Sequence, residues 1–299
     1  MIRLVLLATA ALSAAPATAA HRPATAIAQP VRQMEHISVE VLGKGPPVIL
    51  IPGLSMSREN WRATAQRLAP THRVYLVEVN GFGGSAPGAN LKPGILDGIV
   101  ADLHTLIAAE KMVKPAVVGH SMGGTVALML GTAHPDDAGR LLIVDALPWV
   151  ALIMAPPTMT VAQIEPQAKA MREMVAARYG KPDDEAAGRA QVAQLALKPA
   201  SQEAAYQWSK QADRRVTAQA FYEDMVTDLR PAMATLPMPV TLIYPWAAAG
   251  PSEEAADALY RSAYAKVPHM TFVDVADSGH FIMLDQPAAF DAALAAFLK

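Results

Sequence analysis

Gly119-His120-Ser121-Met122-Gly123-Gly124 constrains this chain more than any other stretch, because of what stands on either side of it. Before it, Pro115-Ala-Val-Val118 is a short apolar run with β-branched residues, the pattern of a fully buried parallel strand. After it, Thr125-Val-Ala-Leu-Met-Leu-Gly-Thr132 is apolar on nearly every face and stops at His134-Pro135, the pattern of a buried helix. A serine between Gly119 and Gly123 on a sharp strand-to-helix turn is held out as a nucleophile. The glycines are a steric requirement, since a side chain at 119 or 123 crowds a serine kept in a sparsely populated backbone conformation.

The rest of the chain repeats the alternation of strand and helix. Strand patterns fall at Met34–Leu42, Pro47–Ile51, Arg73–Val79 and Leu141–Val144, and resume at Pro239–Tyr244 and Met270–Val275. Ile95, Leu96, Ile99, Val100, Leu103, Leu106 and Ile107 recur at helical spacing, and Pro287–Leu298 closes the chain as a helix. Between Pro148 and Pro237 no β-rich run occurs. Helical stretches near Val161–Tyr179, Asp183–Leu197, Ser201–Ala212 and Val216–Thr227 are separated by breaks, and the segment carries Met154, Met159, Met171, Met174, Met225 and Met233. This order predicts an α/β fold with a mainly parallel, doubly wound sheet interrupted by a helical lid. The expected division is a core of residues 34–147 and 238–299 with a cap of residues 148–237.

The N-terminus reads as an address. Met1-Ile-Arg3, an apolar run Leu4–Leu12 and small residues at Ala17-Thr-Ala-Ala20 have the layout of a secretory signal peptide over residues 1–20. The run is shorter than the ~20 residues a spanning helix needs, so export to the periplasm or medium is expected, with no stable membrane span after cleavage. Residues 21–33 are Ala/Pro-rich without periodicity and are expected to form a flexible leader. The absence of cysteine excludes disulfides and a thiol nucleophile. A net charge of −2 with no basic stripe argues against a nucleic-acid partner.

Taken together, four landmarks resemble the α/β-hydrolase superfamily, in the branch with a helical cap after the sixth strand. They are Ile51-Pro-Gly-Leu54 with Trp61, Asn80-Gly-Phe-Gly-Gly-Ser85, the elbow, and Asp277-Ser-Gly-His280-Phe-Ile-Met-Leu-Asp-Gln-Pro287. The resemblance implies Ser121 as nucleophile and His280, late in the chain, as general base. It implies an oxyanion hole from the backbone N–H groups of Leu54 and Met122, with Gly53 allowing close approach. The chain departs from the family at the acid: after Val240–Tyr244 it continues Pro245-Trp-Ala-Ala-Ala-Gly250 with no carboxylate. Asp145 is the candidate substitute, Glu253 the alternative, and a Ser–His dyad without an acid is the third possibility.

His120 is expected to pack beneath the elbow. His36, His72, His104, His134 and His269 have no partners legible in sequence, and neither a metal nor a cofactor is expected. The lid methionines with Trp149, Trp208 and Trp246 are candidates for lining an apolar pocket, at least half of them being expected simply to pack. The absence of clustered Arg or Lys disfavours a charged substrate. The leading expectation is therefore an exported carboxylic-ester hydrolase for a small apolar ester-like molecule, acting through an acyl-enzyme. Two alternatives stand beside it: the same residues acting on a lactone, a C–C bond or an acyl acceptor, and a non-catalytic homologue that binds an apolar ligand. Aspartate-dependent relatives such as haloalkane dehalogenases are disfavoured because Ser121 occupies that position.

Overall fold

The structure is a computed structural model that describes residues 31–299. The signal peptide expected over residues 1–20, and the leader expected over 21–33 as far as residue 30, lie outside the described residues.

Eight strands form one sheet: β1 (Arg32–Gln33), β2 (Ile37–Leu42), β3 (Pro47–Ile51), β4 (Arg73–Val79), β5 (Ala116–His120), β6 (Arg140–Val144), β7 (Val240–Trp246) and β8 (Met270–Ala276). Their order is β1-β2-β4-β3-β5-β6-β7-β8. β2 runs antiparallel to β1 and β4, and every other pair is parallel. The pairing of Arg32 and Gln33 corrects one expectation, since the end of the segment read as a flexible leader is an edge strand. Two residues with exposed side chains carry no apolar pattern, so only the partner strand reveals them.

Among the described residues, ten α-helices accompany the sheet: α1 (Arg62–Leu68), α2 (Ile95–Ala109), α3 (Met122–Ala133), α4 (Val161–Ala176), α5 (Glu185–Ala193), α6 (Pro199–Lys210), α7 (Arg214–Val226), α8 (Glu253–Ala263), α9 (Ile282–Asp285) and α10 (Pro287–Phe297). The central strands are buried on both faces, which is why they read as unbroken apolar runs. Successive residues part to opposite layers. Ile49, Ile51, Val117 and Ile143 pack with α2, α3 and α8. Val48, Leu50, Val118 and Leu142 pack with α1 and α10. This is the expected doubly wound, mainly parallel α/β sheet with helices on both faces.

Helices α4–α7 all lie between β6 and β7 and sit over the C-terminal ends of the strands. α8 is an addition to the expected elements; its sequence signals are Ser252, which accepts from the Ala255 N–H, Glu253 and Glu254 in the first turn, and Ala256 and Tyr260 buried at helical spacing. Among the described residues no helix is long and apolar enough to cross a membrane.

Candidate active site

β5 and α3 meet at Ser121, whose backbone takes φ 54° and ψ −126°. Such a conformation costs on the order of 1–3 kcal/mol for a residue with a side chain and persists only where its surroundings over-determine it. Here they do. The Ser121 N–H donates to the Val144 carbonyl at 3.0 Å, and the Ser121 carbonyl accepts from Gly124 N–H at 2.6 Å and Thr125 N–H at 3.2 Å. A Cβ on Gly119 stands 2.1 Å from the Gly123 carbonyl oxygen, and one on Gly123 stands 2.5 Å from that of Ile51. The turn closes only with glycine at both places.

His280 follows β8 in a loop, where its own N–H donates to the Leu195 carbonyl at 2.6 Å. Its Nδ1 lies 2.6 Å from Asp145 Oδ2. With a carboxylate as acceptor, Nδ1 carries the proton and Nε2 is left as the acceptor face of the imidazole. Asp145 sits just past β6 at φ 47°, and its N–H donates to the Ile243 carbonyl at 2.8 Å. The other Asp145 oxygen accepts from the Tyr260 hydroxyl. Burial, then the Asp145 charge, push the Tyr260 hydroxyl well above its ordinary value, so it stays protonated as a donor. The alternative acid, Glu253, is exposed in the first turn of α8 and makes no bond to His280. Ser121 Oγ has no hydrogen bond among the described residues, yet Ser121 and His280 line the same two cavities.

The loop after β3 lies directly against the elbow, and a Cβ at Gly53 stands 3.1 Å from Ser121 Cβ and 2.9 Å from His120 Nδ1. Among the described residues, the N–H groups of Leu54 and Met122 have no protein acceptor. That leaves two backbone donors free beside the serine. The loop is pinned from below by Glu78, which accepts from the Ser57 hydroxyl and the Arg58 N–H, each at 3.0 Å. It is pinned from the cap by Thr217, 2.7 Å from the Ser55 hydroxyl. His120 is fully buried, donates from Nε2 to the His280 carbonyl at 3.0 Å and packs against Trp61 and Phe281. Burial, reinforced by His280, holds it well below the ordinary imidazole value, so it stays neutral.

Two cavities flank Ser121. One, of about 410 Å³, is lined by Leu147, Val150, Ile153 and Leu259, with Thr125 and Asp224. The other, of about 560 Å³, is lined by Leu54, Met56, Met171, Met174, Tyr206 and Phe221. None of Trp149, Trp208 and Trp246 reaches either cavity, which corrects that part of the pocket expectation. Trp149 is instead fully buried and donates to the Met225 carbonyl, and Trp246 donates to Asp274. Charge is also less scarce than sequence suggested. Arg178, Lys210 and Arg214, scattered along the chain, come to the rim of the larger cavity, with Arg214 paired to Asp183.

Two further carboxylates stand at the site: Asp285, inside the Asp277–Pro287 landmark, and Asp224, which no motif marks. Asp285, fully buried, accepts from the N–H groups of Leu197, Lys198 and Gly279, clasping the cap to the His280 loop. Asp224, on α7, is pushed by burial from 3.8 up to about 6, with the Thr125 hydroxyl opposing the shift. Elsewhere, His104 and His134 do have partners: their rings stack at 4.0 Å and His104 Nδ1 lies 2.7 Å from Asp137 Oδ2. Neither of these histidines lines the cavities at Ser121.

The geometry can be set beside known proteins. A sequence profile of the alpha/beta hydrolase family matches residues 48–293. The pimeloyl-[acyl-carrier protein] methyl ester esterase of Aeromonas salmonicida is 35% identical over 112 residues, 38% of this chain and 42% of that protein. N-formylmaleamate deformylase of Pseudomonas putida is 33% identical over 103 residues, 34% of this chain and 38% of that protein. Each match thus spans about two fifths of the relative's own length. An esterase from Thermogutta terrifontis superposes with a TM-score of 0.70 at 23% identity, over 87% of this chain and 93% of that one. An enol-lactonase from Burkholderia xenovorans superposes with a TM-score of 0.69 at 17% identity, over 90% and 99%. A family match across nearly all the strands and both loops at Ser121, together with the strand order, leads to one conclusion: the chain belongs to the α/β-hydrolase family.

Proposed function

We propose that this protein is an exported serine hydrolase that cleaves a carboxylic ester of a small or medium, largely apolar acyl substrate through an acyl-enzyme. The observation that carries the reading is the 2.6 Å contact between His280 Nδ1 and Asp145, which leaves Nε2 to serve the cavity that Ser121 lines. Ser121 Oγ attacks the acyl carbon while its proton passes to His280 Nε2, and Asp145 stabilises the imidazolium. The oxyanion accepts from the free N–H groups of Leu54 and Met122, donors of a kind worth roughly 3 kcal/mol of transition-state stabilisation each. The alcohol leaves with the proton from His280, and water repeats the sequence to free the acid. Two cavities meeting at Ser121 suit the two sides of an ester bond. The names of the relatives in Aeromonas salmonicida and Thermogutta terrifontis, both esterases, agree with the chemistry.

The test is incubation with a fluorophosphonate followed by intact mass, with Ser121→Ala as control. Stoichiometric labelling of the wild type alone is expected. A folded wild type that stays unlabelled and turns over no ester overturns the reading in favour of ligand binding. Export is tested by the mass of protein recovered outside the cytoplasm, expected to begin after Ala20.

A further inference from the structure

Asp224 has no role in the chemistry above, and its surroundings are unusual for a carboxyl group. It is 5% exposed, and its Oδ1 has no hydrogen-bond partner among the described residues. The other buried aspartates are held by the backbone: Asp285 by three N–H groups and Asp102 by those of His36 and Ile37. Asp224 accepts from no backbone N–H among the described residues, Thr125 being the polar side chain beside it, and no Lys or Arg lines the cavity it faces. A carboxyl oxygen desolvated without a donor destabilises the fold, so packing alone gives it no purpose there.

Its position supplies one. Asp224 lines the smaller cavity together with Ser121, Asp145 and His280. Thr125, beside it, is four residues from Ser121 along α3, about 6 Å of helical rise. Apart from this end the wall is largely apolar, with Leu147, Val150, Ile153 and Leu259. We infer that Asp224 is a specificity-determining residue that accepts a hydrogen bond from the substrate, so that the preferred esters carry a hydroxyl or ammonium donor a few atoms from the scissile carbonyl. The inference rests on the ester-hydrolase reading and narrows its substrate class: an apolar body with one donor, rather than a plain hydrocarbon chain. The donor meets the carboxyl from the cavity, where no protein N–H reaches it, and an isostere lacking the donor leaves the carboxyl without that partner.

The test compares kcat/KM for matched aryl esters, heptanoate against 6-hydroxyhexanoate and 6-aminohexanoate, and 3-methylbutanoate against 3-hydroxybutanoate, in wild type and Asp224→Leu. Wild type is expected to favour at least one donor-bearing ester over its apolar partner by about 10- to 100-fold, the range of a hydrogen bond to a charged group. In Asp224→Leu that ratio collapses to within about threefold of unity, with the melting midpoint unchanged or raised. If Asp224→Leu does not fold, Asp224→Asn takes its place and is expected to lose the ammonium preference while retaining part of the hydroxyl one. Esters turned over without preference in wild type, or with the same preference in the variant, overturn the inference alone. No turnover together with an unlabelled Ser121 overturns the hydrolase reading, and this inference with it.

Discussion

Asp145 has both oxygens engaged, one by His280 and one by the Tyr260 hydroxyl, so its orientation is fixed before substrate arrives. Asp145→Asn is expected to lower ester turnover by about 10³- to 10⁴-fold, because an amide cannot hold the imidazole tautomer that leaves Nε2 free. Glu253→Gln, far from that bond on the surface, is expected to stay within twofold, and steady-state kinetics on an activated ester separates the two. Asp224 makes a pH prediction. Its folded value of about 6 lies above the unfolded 3.8, so within that window the folded chain holds a proton the unfolded chain has released. The stability it contributes therefore falls as pH rises through the window and levels off above it, by roughly 3 kcal/mol in all. The ionisable groups sharing its cavity are Asp145, Tyr260 and His280. The melting midpoint of Asp224→Asn relative to wild type should rise between pH 4 and pH 7; a flat difference contradicts a buried, titrating carboxyl.

At the scale of elements, the elbow was legible because its causes are local: a buried strand, two obligatory glycines and an apolar helix within a short stretch. The cap helices were legible from their breaks, and α8 carries its own local signals, Ser252 at its cap and Ala256, Tyr260 and Tyr264 buried at helical spacing. Loops are where local reading stopped. The clasp of Leu197, Lys198 and Gly279 onto Asp285 joins the cap to the His280 loop, and no pattern marks the N–H groups involved. Asp285→Ala removes the acceptor of three part-buried N–H groups at once. A stability loss of roughly 3 kcal/mol is expected, with slower fluorophosphonate labelling of Ser121 as His280 loses its anchor. Asp285→Asn, which keeps one acceptor oxygen, should fall between. Unchanged labelling in the alanine variant would show that the His280 loop holds its place without the cap.

At the scale of the molecule, cap and core share one apolar layer. Ile164 and Ala168 of α4 and Val216 and Ala220 of α7 belong to the same buried cluster as Ile49 and Val117. Trp149 stands at the junction, fully buried, donating to the Met225 carbonyl and covered by the Arg230 guanidinium at 4.2 Å. Trp149→Ala is expected to cost about 3–5 kcal/mol in urea unfolding, and Trp149→Phe far less, since most of the apolar burial survives. What the sequence by itself determined is whatever short-range pattern encodes: the order of strands and helices, the place of the insertion, and the serine and histidine with their flanking glycines. Those follow from periodicity and backbone sterics, which need no partner. What only the tertiary structure decided is who meets whom. Asp145 and His280 lie 135 positions apart and come together because β6, β7 and β8 run side by side with their C-terminal ends at one edge. Asp224, Tyr260 and Asp285 enter the site the same way, by packing of a cap helix, an outer helix and the short helix α9, and long-range packing leaves no period in a sequence.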